Sequence, residues 1–120
     1  MQKKEKEEKN ESRGTEAILG QIQMAEQFLQ NLMMQKQLFQ SEFVETNNAL
    51  NELKKTKSND EVFKIIGSIM FKSDKGELEK ELEKKKELLN LRLKTIEKQE
   101  EELKEKVLKQ RDELLKKLQK

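Results

Sequence analysis

The sequence predicts a mostly α fold: two long helices folded back on each other as an antiparallel coiled coil and joined by a β-hairpin. Three observations predict it. Apolar residues recur on alternating four- and three-residue steps from Ile18 to Leu53, and every seven residues again from Leu82, which is the period of a coiled-coil seam. Between the two seams stands one short β-branched and aromatic run, Val62 to Phe71, broken by Gly67-Ser68. Finally, 42% of the 120 residues are charged and only 4% are aromatic, with no Trp or Tyr, so a thick core cannot form and the apolar residues must lie along narrow strips.

Residues 1–14 form a charged segment of Lys, Glu and polar residues without apolar period, expected to be a disordered tail. A domain over 15–120 follows. Its first helix, 15–57, starts with Thr15 as N-cap and Glu16 near the positive end of the helix dipole. Ile18, Ile22, Ala25, Leu29, Leu32, Phe39, Phe43, Leu50 and Leu53 make its seam, and Lys36 and Thr46 occupy the two interrupted steps. A polar seam residue lowers stability but can fix register, the role read here for Lys36. Leu19, Met24, Phe28, Met33, Met34 and Leu38 are apolar yet off the seam, among many glutamines. They make either a wider packed face or an accessible, polarisable surface. The second reading weighs most at Leu19, Met24 and Phe28, near the free end. Lys54, Lys55 and Lys57 suit the negative end of the helix, and Ser58-Asn59-Asp60 are turn formers.

The hairpin is expected over 61–73, with Gly67 at the first position of a type II′ turn; the alternative is a buried apolar connector without strand pairing. A lone two-stranded hairpin leaves both edges unpaired and is marginal in water, which points to assembly through other chains. The second helix, 75–119, opens after Ser73 and Asp74, with Asp74 and Glu77 in capping-box spacing. Leu82, Leu89, Ile96 and Leu103 carry its seam with Leu93, Val107 and Leu114, Glu100 sits within it, and Leu78 fits only through an irregular step. Arms of about 60–65 Å bring Ile18, Leu19 and Ile22 to one tip with Leu114, Leu115 and Leu118.

Several functions are disfavoured. The 26 basic and 24 acidic residues leave a net charge of only +2, and their interleaving speaks against nucleic acid as a partner. No stretch is long and apolar enough for a membrane span, and the N-terminus has no apolar signal core. The absence of Cys fits a cytoplasmic protein. Without His or Cys the usual general base and zinc ligands are missing, and no phosphate-binding loop motif is present. No catalysis, metal or cofactor is expected.

The stretches Met34-Gln35-Lys36-Gln37, Asn48-Ala49-Leu50-Asn51-Glu52-Leu53, Asp60 to Gly67 and Leu91-Arg92-Leu93-Lys94-Thr95-Ile96-Glu97-Lys98-Gln99-Glu100, set around one hairpin between equal arms, resemble the beta-type subunits of prefoldin. The resemblance spans about Thr15 to Lys117. It implies a hetero-hexamer of two alpha-type and four beta-type subunits whose hairpins enter an oligomeric β-barrel. It also implies an ATP-independent holdase that captures unfolded polypeptides at the coiled-coil tips and delivers them to a group II chaperonin. On this sequence the implied assembly positions are Val62, Phe63, Ile65, Ile66, Ile69 and Phe71. The implied client-binding positions are Ile18, Leu19, Ile22, Met24, Phe28, Leu114, Leu115 and Leu118. A structural coiled-coil tether without clients is the competing reading; it leaves the apolar hairpin and tip without a role.

Overall fold

The computed structural model describes residues 2–119, with side chains from Arg13 to Gln119. In chain order the elements are α1 (Gln2–Lys55), β1 (Val62–Ile66), β2 (Ile69–Ser73) and α2 (Lys75–Leu118). The hairpin and α2 fall where the sequence places them. The start of α1 does not: helical backbone begins at Gln2 and passes through Gly14 and Thr15, so the tail expected over residues 1–14 and the N-cap at Thr15 are corrected. Lys, Glu and Gln are good helix formers, no Pro interrupts them, and one Gly costs only about 1 kcal/mol. In sequence, Lys3, Lys4 and Glu5 each stand four residues before an opposite charge, the spacing that supports an exposed helix. The arms are also unequal, with 54 residues in α1 and 44 in α2.

Two compact units divide the chain: residues 1–35 with 96–120, and residues 36–95. In the unit of residues 36–95, Leu50, Leu53 and Leu89 are buried and Phe39, Phe43, Leu78, Leu82 and Leu93 are half-buried. The helices run antiparallel: Arg92 stacks over Phe39 at 5.6 Å and Lys86 over Phe43 at 5.8 Å, while Leu53 shares a groove with Leu78 and Leu82. The two cations lie over half-buried rings, each contact being worth about 0.5–1 kcal/mol. Thr46, at an interrupted seam step, is buried without penalty because its hydroxyl donates to the Glu42 carbonyl at 2.7 Å.

The strands pair antiparallel from Val62↔Ser73 to Ile66↔Ile69, leaving Gly67-Ser68 as a two-residue loop. Gly67 has φ of 61° and no non-glycine residue has positive φ. That combination is the type II′ turn, which matches the strand twist and needs glycine at its first position. The junction is tied by specific bonds. Lys75 Nζ donates to the Thr56 carbonyl at 2.6 Å and the Lys54 carbonyl at 3.5 Å, so the first residue of α2 caps the carbonyl end of α1, where a cation is favoured. Glu81, spaced in sequence to pair with Lys85, instead takes Lys64 of β1, whose Nζ lies 2.9 Å from Oε2 and 3.1 Å from Oε1. In the connecting turn Lys57 N donates to Asp60 Oδ2 at 2.9 Å, and Asp60 N to the Lys57 carbonyl at 3.0 Å.

In the unit of residues 1–35 and 96–120, Ile18, Ile22, Ala25 and Val107 form the buried cluster, with Leu29, Leu103 and Leu114 packed against it. Ile96 and Glu100 are buried on the α2 seam. Gln110 extends the seven-residue series of Ile96 and Leu103, and is buried; its Nε2 donates to Gln21 Oε1 at 3.1 Å, whereas its Oε1 is enclosed without a partner. Arg111 pairs with Glu26 at the surface.

Two substitutions test this packing. Leu89 is 3% exposed, so Leu89→Ala removes a seam side chain and is expected to cost about 2–4 kcal/mol, lowering the melting temperature followed by circular dichroism. A Cβ at Gly20 would meet no atom within 4 Å. Gly20→Ala is therefore expected to stabilise α1 by up to about 1 kcal/mol, and an unchanged or lower melting temperature would contradict the helical environment described for it.

Candidate functional site

Two apolar surfaces remain outside the seam. The first is the hairpin. Residues alternate between its faces, so Val62, Lys64, Ile66, Ile69, Phe71 and Ser73 share one face and Phe63, Ile65, Met70 and Lys72 the other. Val62 is half-buried in a groove with Ala49, Leu53, Leu78 and Leu82, and the Lys64–Glu81 pair braces the same face. Phe63, Ile65, Ile66, Ile69, Met70 and Phe71 are all exposed, Ile65 to 68%. Both faces thus carry apolar side chains into solvent, in addition to unpaired backbone at the edges. Five of the six assembly positions read from sequence are therefore accessible, and Met70 joins them. Val62 instead anchors the sheet to the helices.

The second surface lies in the unit of residues 1–35 and 96–120. Gln21, Met24, Ala25 and Phe28 of α1 and Leu103 and Lys106 of α2 line an open groove of about 610 Å³. It continues past Phe28 to Leu32, Gln99 and Glu102. The helical spacing explains it. Met24 and Phe28 are four residues apart, on the flank beside the Ala25 and Leu32 seam positions, so they wall the trough whose floor is Ala25 and Leu103. A floor of small and apolar groups, soft walls and a rim of Gln, Lys and Glu suit an apolar peptide segment whose backbone still needs hydrogen-bond partners.

The tip positions read from sequence divide by burial. Leu19, Met24, Phe28, Leu115 and Leu118 are exposed, Met24 to 65% and Phe28 to 59%, and Leu114 is half-buried. Ile18 and Ile22 are buried in the cluster, because they occupy the seam itself; they support the surface instead of forming it. The groove's α2 side was not singled out in the sequence: Leu103 read as seam and Lys106 as one of many solvated lysines. The visible signal was the pair Met24 and Phe28 at helical spacing.

Among the described residues no group of three or more His, Cys, Asp or Glu is placed to hold a metal ion, and no helix is long and apolar enough to cross a membrane. The arrangement defines a class of protein: a two-helix coiled coil with a β-hairpin, which leaves apolar surfaces exposed outside its seam.

Comparison with known proteins narrows the class. A family model described as prefoldin subunit matches residues 16–120. Prefoldin subunit beta of Thermococcus onnurineus is 38% identical over 92 residues, covering 77% of this chain and 79% of the relative. That of Saccharolobus islandicus is 39% identical over 85 residues, covering 71% and 68%. The crystal structure of the prefoldin beta subunit from Thermococcus strain KS-1 superposes with a TM-score of 0.77 at 34% identity, covering 84% of this chain and 89% of that one. The chain belongs to the prefoldin subunit family, and its likeness is to the beta-type subunits. The family is one of chaperones and not of enzymes, and its members assemble with other prefoldin subunits.

The hairpin is the element to test for that assembly. Ile65→Asp with Ile69→Asp places one charge on each face of the sheet. Covering them by partner strands would cost several kcal/mol, on the order of burying unpaired carboxylates. Light scattering is expected to show loss of the large oligomer while circular dichroism retains most of the helix; an intact oligomer would rule out the hairpin as the assembly element.

Proposed function

We propose that the chain is the beta-type subunit of an ATP-independent holdase that captures unfolded polypeptides and delivers them to a group II chaperonin. It works in the cytoplasm within a hexamer of two alpha-type and four beta-type subunits. The observation that carries the capture step is the exposed apolar side chains Leu19, Met24, Phe28, Leu115 and Leu118, with a groove beside Met24 and Phe28. Seam packing cannot satisfy them, and an unfolded client offers the apolar segments that can. One such surface binds weakly. Several copies held on one body raise the effective concentration of the next contact, so avidity replaces tight binding and release needs no nucleotide. The hairpin's open edges and two apolar faces favour a closed barrel as that body, since closure removes edges.

The test replaces Leu19, Met24, Phe28, Leu115 and Leu118 with Ser. Suppression of aggregation of a denatured test protein is expected to be lost. Oligomer mass should be unchanged, because the five residues lie outside the hairpin and the buried cluster. A five-fold variant that still forms the oligomer and protects as well as the parent would show that capture occurs elsewhere.

A further inference from the structure

Oxidation of methionine offers a way to switch this surface. The chain contains no Cys, His, Trp or Tyr and has five Met, so thioethers are its chief oxidisable side chains. Met24, Met33, Met34 and Met70 are each more than half exposed, open to a small oxidant. Met24 differs from Met33 and Met34 in lining the groove with Ala25, Phe28 and Leu103. A thioether is apolar and polarisable, whereas its sulfoxide carries a strong S–O dipole that demands hydrogen-bond partners. On the wall of an apolar trough the change removes contact area and adds a group that a bound apolar segment would have to desolvate.

We propose that Met24 is an oxidation site, and that a peroxide converting its thioether to the sulfoxide reversibly turns off the groove as a polypeptide-binding surface. In the step, the sulfur lone pair attacks the peroxide, the O–O bond breaks and an S–O bond forms. Sulfur is oxidised by two electrons and the second peroxide oxygen leaves as water. Reduction by methionine sulfoxide reductases with a dithiol returns the thioether, a disulfide and water. The inference rests on the reading of the groove as a client-binding surface.

The experiment uses the full chain in its assembled form. It is treated with hydrogen peroxide, oxidation is mapped by peptide mass spectrometry, and aggregation suppression is titrated before and after treatment. Each protein is compared with itself. The parent is expected to gain one oxygen at Met24 and to need roughly ten-fold or more chaperone for equal protection, the scale of losing one buried apolar side chain. Reductase treatment should reverse the loss. Met24→Leu is expected to give the same titration before and after peroxide, whatever its starting level, while Met33→Leu with Met34→Leu remains peroxide-sensitive. The switch is overturned if Met24 stays reduced while Met33 and Met34 oxidise, if the fully oxidised parent protects as before, or if Met24→Leu loses protection as the parent does. An untreated parent that captures nothing would remove the client-binding reading and the switch with it, a result separate from any effect of peroxide.

Discussion

Burial in this protein is limited to a strip between two antiparallel helices, and the rest of the structure follows from that limit. A heptad seam offers two apolar positions per seven residues, and here the buried ones are Ile18, Ile22, Ala25, Ile96 and Val107 in one unit and Leu50, Leu53 and Leu89 in the other. With charged residues at 42% of the chain no second layer covers the helix flanks. Any apolar side chain off the seam is therefore left facing solvent. Met24 and Phe28 are exposed for that reason, as are Leu115 and Leu118. Exposed apolar surfaces arise here from the geometry that holds the helices together.

The hairpin shows the same economy at the other functional element. Its position depends on a few polar ties: Lys75 on the last carbonyls of α1, Glu81 on Lys64, and the reciprocal Lys57–Asp60 bonds. Val62 supplies the apolar foothold. On the sheet itself these contacts use Val62 and Lys64 of one face, and Phe63 also borders the groove that holds Val62. The remaining apolar side chains and both edges are left exposed in the single chain.

Polar residues in the seam are accommodated in different ways. Thr46 satisfies its hydroxyl on its own helix. Gln110 reaches across to Gln21 but leaves an enclosed carbonyl oxygen without a partner, a cost of about 1–3 kcal/mol where it is fully desolvated. That cost falls in the unit that carries the groove. At Gln110 a hydrogen bond across to Gln21 thus stands where the seam period would place an apolar side chain.

Local pattern alone determined much of this protein. The seven-residue period placed both seams, and Gly67-Ser68 between β-branched runs placed the turn and its type, since glycine alone readily adopts the positive φ required. The exposure of Ile65 and Ile69 was legible because alternation puts them on a sheet that one chain cannot cover. The start of α1 was not legible: a charged, non-periodic stretch satisfies the rules for a solvated helix as well as those for a tail. The division of the tip residues, by contrast, was present in the period, which set Ile18 and Ile22 on the seam and Leu19 off it, although the resemblance grouped all three as client-binding positions. The pairing of α1 with α2 buries Ile18 and Ile22 and leaves Leu19 exposed. The same pairing brought Leu103 and Lys106 opposite Met24 and Phe28 to make a groove. Periodicity specifies which residues share a face, but a groove needs two faces at a definite offset, and that offset exists only once the helices have packed.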